Sequence, residues 1–122
     1  MAIILNPSLT GREDWSTATF RILTVEGVAE VTGSVRLWFG IHHRADGWWR
    51  LSPLPTGLGI GEALSEGNLI RAVADIKELI DWDFTDPMGI AKQRGGAAIR
   101  TALMRHGSRL RPEQDRLKAE AA

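Results

Sequence analysis

The sequence predicts an α+β fold: a three-stranded antiparallel β-meander followed by two or three α-helices packed on one face. Three observations lead there. Residues 19–52 are dense in β-branched and aromatic side chains, interrupted by Glu-Gly and Asp-Gly turns. Residues 69–106 carry apolar side chains at helical spacing. Strands precede helices instead of alternating with them, which is the segregated order of an α+β chain. The 122 residues suit a single domain, 1–122, long enough to bury a core without the staples that its lack of cysteine rules out.

The strands are expected at 19–25, 28–43 and 47–52. A turn at Glu26-Gly27 pairs Ile22 with Val31. The second hairpin has two candidate registers, and its side chains choose between them. A two-residue turn at Asp46-Gly47 mixes apolar and polar residues on both faces. A three-residue loop, Ala45-Asp46-Gly47, places glycine where a positive φ is needed. It sets Ile41 opposite Leu51, His42 opposite Arg50 and His43 opposite Trp49. Strand alternation then gathers Phe20, Ile22, Val31, Val35, Leu37, Phe39, Ile41, Trp49 and Leu51 into one apolar wall. The opposite face carries Arg36, Trp38, His42, Arg44, Trp48 and Arg50, with Arg21 farther along.

In the second half, Asn68 is the expected N-cap of a helix through Leu69, Val73, Ile76 and Ile80, the partner of the apolar wall. Asp86-Pro87 is expected to start a helix that runs to His106, with Gly107 as its stop. Gly95-Gly96 would cost that helix about 2 kcal/mol relative to two alanines. Either a small-residue stripe of Ala91, Gly95, Ala98 and Ala102 offsets this, or the helix breaks there.

Fifteen basic and fifteen acidic side chains cancel, which argues against coating nucleic acid through bulk charge. They are unevenly spread: residues 62–86 hold seven acids and two bases, and residues 87–122 hold eight bases and three acids. Such neighbouring blocks attract each other within one chain or between copies, so a homo-oligomer is compatible with them. No apolar run approaches the roughly 18 residues of a membrane span, and the apolar patch near the N-terminus is too short for a signal peptide. A cytoplasmic protein without a membrane partner is the expectation.

Catalytic patterns are sparse. His42 and His43 are adjacent and point to opposite faces of a strand, so they cannot share a metal. No serine lies in a Gly-x-Ser-x-Gly elbow. Asp81, Asp83 and Asp86 lack the glycine and closing glutamate of a calcium loop, and read as a solvated acidic connection. The glycine-rich stretch LPTGLGIGEAL, 54–64, is the one enzyme-like signal, since such a loop can offer backbone N–H groups to phosphate. Gly59, Ile60 and Gly61 with the following Glu62-Ala63-Leu64 resemble the pyrophosphate loop of GNAT-type acetyltransferases, Arg/Gln-x-x-Gly-x-Gly/Ala. That resemblance, about a dozen residues long, implies an acyl-CoA-dependent acyltransferase using the Gly57–Gly61 loop. Thr56 stands at the Arg/Gln position, and the acidic 81–87 stands where that family has an apolar parallel strand.

Arginine and tryptophan are the residue types that dominate interface hot spots. The reading preferred from the sequence is therefore a non-enzymatic binding module, a small inhibitor or adaptor. It would dock a protein partner through Arg36, Trp38, His42, Arg44, Trp48 and Arg50, with no cofactor. Cross-strand Trp–Arg pairs also stabilise sheets on their own account. A nucleic-acid binder using that face together with Arg100, Arg105, Arg109 and Arg111 is the second reading, and the acyltransferase the third.

Overall fold

The computed structural model describes residues 15–110 apart from 87 and 91. Its sheet follows the chain: β1 (Ser16–Thr24), β2 (Gly27–Arg36), β3 (Phe39–His43), β4 (Trp49–Pro53) and β5 (Gly61–Ala63), with a two-residue β6 (Arg109–Leu110) returning beside β5. All neighbouring strands are antiparallel. Helices α1 (Glu66–Ile76) and α2 (Gly96–Arg105) come between β5 and β6. The class is α+β. The meander exceeds the three expected strands because the long middle run folds back on itself and the glycine-rich stretch leads into β5.

The second hairpin has the register that its side chains demand. Ile41 lies opposite Leu51, His42 opposite Arg50 and His43 opposite Trp49. Gly47 adopts φ +95°, and the Arg44 N–H donates to the Trp48 carbonyl at 2.8 Å. In the first hairpin Thr24 pairs with Gly27, so the turn residues are Val25 and Glu26. Ile22 therefore faces Ala29 and Phe20 faces Val31. This is a slip of two residues from the expected pairing, and an even slip leaves every side chain on its expected face.

The consequential departure lies between these hairpins. The run 28–43 breaks at Leu37-Trp38, where Arg36 pairs with Phe39 across a two-residue turn. Trp38 takes φ +75°, a backbone region that costs a bulky L-residue about 1–2 kcal/mol. The surroundings hold it there: the Leu54 N–H donates to the Trp38 carbonyl at 2.8 Å, and the indole packs against the core. Because the chain reverses, Val35 now lies opposite Gly40, while Phe39 shares a face with Arg36. The single apolar wall is thereby divided between two faces.

One face meets the helices. Phe39, Ile41, Leu51 and Ala63 pack against Leu69, Val73 and Ile76 of α1 and Ile99, Ala102 and Leu103 of α2, all buried. Each large aliphatic or aromatic side chain buried here contributes about 1.5–3 kcal/mol. The Ser65 hydroxyl, not Asn68, caps α1 by accepting from the Asn68 N–H at 3.2 Å. The helix stops at Ile76, leaving Ile80 beyond it but still against the core. Within the acidic stretch Trp82 turns inward, 2 % exposed, its ring 4.9 Å from Phe39 and its indole N–H donating to the Ile76 carbonyl at 3.1 Å. That stretch is a connection with a buried anchor, with Asp81 and Asp83 on the outside.

The helix expected from Asp86 begins only at Gly96, after Gly95 at φ +134°. Asp86 caps a turn instead, its carboxylate accepting from the Met88 N–H at 2.8 Å. The small-residue stripe does not form: Gly95 precedes the helix, Ala98 is exposed, and Ala91 lies outside the described residues. Gly107 ends α2 as expected, at φ +76°. No helix among the described residues is long and apolar enough to cross a membrane.

The other face of the sheet is concave. Phe20, Ile22, His42, Arg50, Ser52 and Glu62 are buried there although both helices pack on the opposite side. The sheet rolls up to cover them. The end of β1 reaches the 54–60 connection, where Leu23 bridges Leu58 in parallel fashion and its N–H donates to the Gly57 carbonyl at 2.8 Å. Gly57 is required for this contact. Its φ is +72°, and a Cβ there would sit 3.0 Å from the Leu23 nitrogen.

Candidate functional site

A rolled sheet with a polar interior must satisfy its buried donors, and Arg50 does so at the closure. Its side chain is 2 % exposed. Nε donates to the Ser52 hydroxyl at 3.0 Å, and Nη2 donates to the carbonyls of Leu23 at 2.8 Å and Gly57 at 2.7 Å. One guanidinium thus ties β4 to the end of β1 and to the glycine-rich connection. Gly59 makes room for it, since a Cβ at that position would lie 2.9 Å from the Arg50 Nε. Glu62 sits directly opposite Arg50 on β5, fully buried.

Beyond this staple the roll opens. A concavity of about 600 Å³ lies between the β1–β2 hairpin, residues 24–29, and the side chains of Ile22, His42, Arg44 and Arg50. His42 forms part of the floor, 7 % exposed, with the Phe20 ring edge-on at 6.3 Å. Arg44 stands between two carboxylates. One nitrogen is bonded to the buried Glu62, and Nη2 lies 3.0 Å from Asp46, whose side chain is 46 % exposed. Asp46 also accepts the Trp48 N–H at 3.1 Å, which fixes the β3–β4 turn. On the far rim Val25 and Val28 expose 46 % and 69 % of their surface.

The six residues expected to form one open face are therefore distributed. His42, Arg44 and Arg50 converge on the concavity. Arg36 shares the helix-side face with Phe39, because the Leu37-Trp38 turn inverted the alternation. Trp38 occupies that turn, half-buried against the core, and Trp48 is half-buried at the β3–β4 turn. Arg21 is exposed on the helix-side face of β1, near Glu30 at 3.9 Å. Val25, Val28, Asp46 and Glu62 join the site without having been expected. Glu62 belongs to β5, three residues long and too short to show alternation, and Val25 reaches the rim because the end of β1 meets the 54–60 connection.

Of the second basic set, Arg100 is exposed on α2, and Arg105 is exposed with Nη1 3.6 Å from Asp75. Arg109 lies in β6 opposite Glu62 by backbone register, and Arg111 lies outside the described residues. The glycine-rich loop turns its amides inward. The N–H groups of Gly57, Leu58 and Ile60 donate to the Pro53 carbonyl, the Thr56 hydroxyl and the Leu51 carbonyl, and β5 beyond them is antiparallel. Among the described residues no cluster of three or more His, Cys, Asp or Glu side chains could hold a metal ion.

Fold and site together define a small α+β protein whose rolled sheet opens into a basic-floored mouth. Comparison with protein-family models, curated proteins and solved structures finds no match to this chain.

Proposed function

We propose that the protein is a non-enzymatic binding module that receives a protein partner at the mouth of its rolled sheet. The observation that carries this reading is the convergence of His42, Arg44 and Arg50 with Ile22, Ala29 and the exposed Val25 of the β1–β2 hairpin around one concavity of about 600 Å³. A built, concave site with an apolar wall and a few fixed polar groups is the usual form of a binding pocket. Exposed Val25 supplies an apolar rim contact, and Arg44 supplies planar charge-assisted hydrogen bonding.

The test is comparative affinity capture from cells that encode the protein, using wild type, Val25→Asp and Leu64→Asp. Val25 and Leu64 are both exposed, so neither change should unfold the chain. A partner retained by wild type and Leu64→Asp and lost with Val25→Asp supports the mouth. A partner retained by all three, or recovery of nucleic acid in a strongly salt-dependent manner, overturns it.

A further inference from the structure

At about 600 Å³ the mouth is on the scale of a small-ligand pocket. It is also chemically divided. Ile22, Val25 and Ala29 give it an aliphatic wall, and His42, Arg44 and Arg50 give it a basic floor. Among the described lining residues the one carboxylate is Glu26, exposed at the hairpin tip. An occupant that satisfies both parts has an aliphatic group and a carboxylate next to each other.

Arg44 shows how such a carboxylate would be taken up. Its bond to Glu62 is on the buried side and holds the stem in place. Its contact with Asp46, at 3.0 Å, is on the solvent side. Of the two carboxylates Asp46 is the one that solvent reaches, 46 % exposed against none for Glu62, so it is the one an incoming anion can replace. Releasing Asp46 presents Nη2 to the concavity while Glu62 keeps the guanidinium oriented.

We infer that the mouth binds the C-terminal carboxylate of a partner protein whose last side chain is aliphatic, with Arg44 exchanging Asp46 for that carboxylate. The inference rests on the mouth being the partner site and names what enters it. A chain terminus brings the two groups onto one residue, and a concavity of about 600 Å³ has room for its last side chain and carboxylate.

The probe is a five-residue peptide ending in leucine and valine, prepared as the free acid and as the amide. It is titrated into the ¹⁵N-labelled full chain, and the Val28 and Arg44 amides are followed. The free acid should bind about tenfold more tightly than the amide, the worth of one charge-assisted hydrogen bond. Asp46→Asn should strengthen binding of the acid several-fold and leave the amide unchanged, because asparagine keeps the acceptor for the Trp48 N–H but no longer competes for Arg44. A purely structural role for Asp46 predicts no gain. Acid and amide of equal affinity, or Asp46→Asn weakening the acid, would overturn the inference. So would hexanoate binding as tightly as the peptide acid, which would assign the site to free aliphatic acids. If acid and amide are indistinguishable while Val25→Asp still releases the captured partner, the carboxylate inference falls and the mouth remains the partner site.

Discussion

Replacing Arg50 by methionine isolates the staple that closes the rolled sheet. Methionine fills most of the volume, so the measured loss reports the hydrogen bonds more than a cavity. Three acceptors lose a charged donor: the Ser52 hydroxyl and the carbonyls of Leu23 and Gly57. Bonds from a charged group contribute about 1.5–3 kcal/mol each but are not additive, and removing one partner of a buried charged cluster costs about 3–5 kcal/mol. We expect a loss in that range, a fifth or more of the stability of an ordinary domain. Urea unfolding followed by tryptophan fluorescence measures it. With an m-value of about 1.5 kcal/mol/M, the midpoint should fall by roughly 2–3 M. The loss should also be local, so the Leu23 amide, which bonds to Gly57, should lose exchange protection before the Ile41 amide of the core. Arg50→Lys should recover less than half, since one ammonium cannot reproduce the planar fork. A midpoint shift below about 0.5 M, or equal loss of protection at both amides, would refute the staple.

Gly59→Ala places a methyl 2.9 Å from the Arg50 Nε and should cost about 1–3 kcal/mol; in the Arg50→Met background the cost should shrink, which a double-mutant denaturation cycle reads out. Trp82→Ala removes a 2 %-exposed indole from against Phe39 and should lower stability by about 3–5 kcal/mol in the same urea assay. The Lys92 ammonium bonded to its carboxylate, and then the Met88 N–H, hold the Asp86 pKa below its ordinary 3.8. A depressed carboxyl stabilises the fold fully above the unfolded value and loses that contribution as pH falls below it, so thermal unfolding at descending acid pH should show a step that Asp86→Asn lacks.

What could be read from the sequence follows the reach of each signal. The Asp46-Gly47 hairpin was fixed because glycine supplied the left-handed position and only one register joined apolar side chains. The inward stripe of α1 was legible because Leu69, Val73 and Ile76 repeat at helical spacing. The Leu37-Trp38 turn was not, for it holds no glycine, proline, asparagine or aspartate, and tertiary contacts at Trp38 replace turn chemistry. One signal did stand against a continuous strand: 28–43 is 16 residues, beyond the usual 3–10. Reading that length as a reversal would have moved Arg36 to the helix side and left His42 and Arg50 on the concave face. Similarly, Gly57 and Gly59 looked like a phosphate loop because close backbone approach demands glycine whichever group approaches. Here the approaching groups are the edge of β1 and a guanidinium of the same chain.

The contrast between Arg50 and Arg44 gives the site its working parts. Both arginines lie on the concave side of the second hairpin and line one cavity, and composition alone does not distinguish them. Burial does. Arg50 is enclosed by acceptors from β1, β4 and the 54–60 connection, so moving it would open the roll. Arg44 keeps 18 % of its side chain exposed and divides its charge between a fully buried and a half-exposed carboxylate. Any ligand entering the mouth meets a floor that cannot yield and a rim that can. Selectivity should therefore follow the exchange at Asp46, and changes at Asp46 should alter affinity with little effect on unfolding, whereas changes at Arg50 should alter unfolding first. If Asp46→Asn instead shifted the urea midpoint as far as Arg50→Met, the two arginines would belong to one structural cluster and the rim would have no exchangeable member.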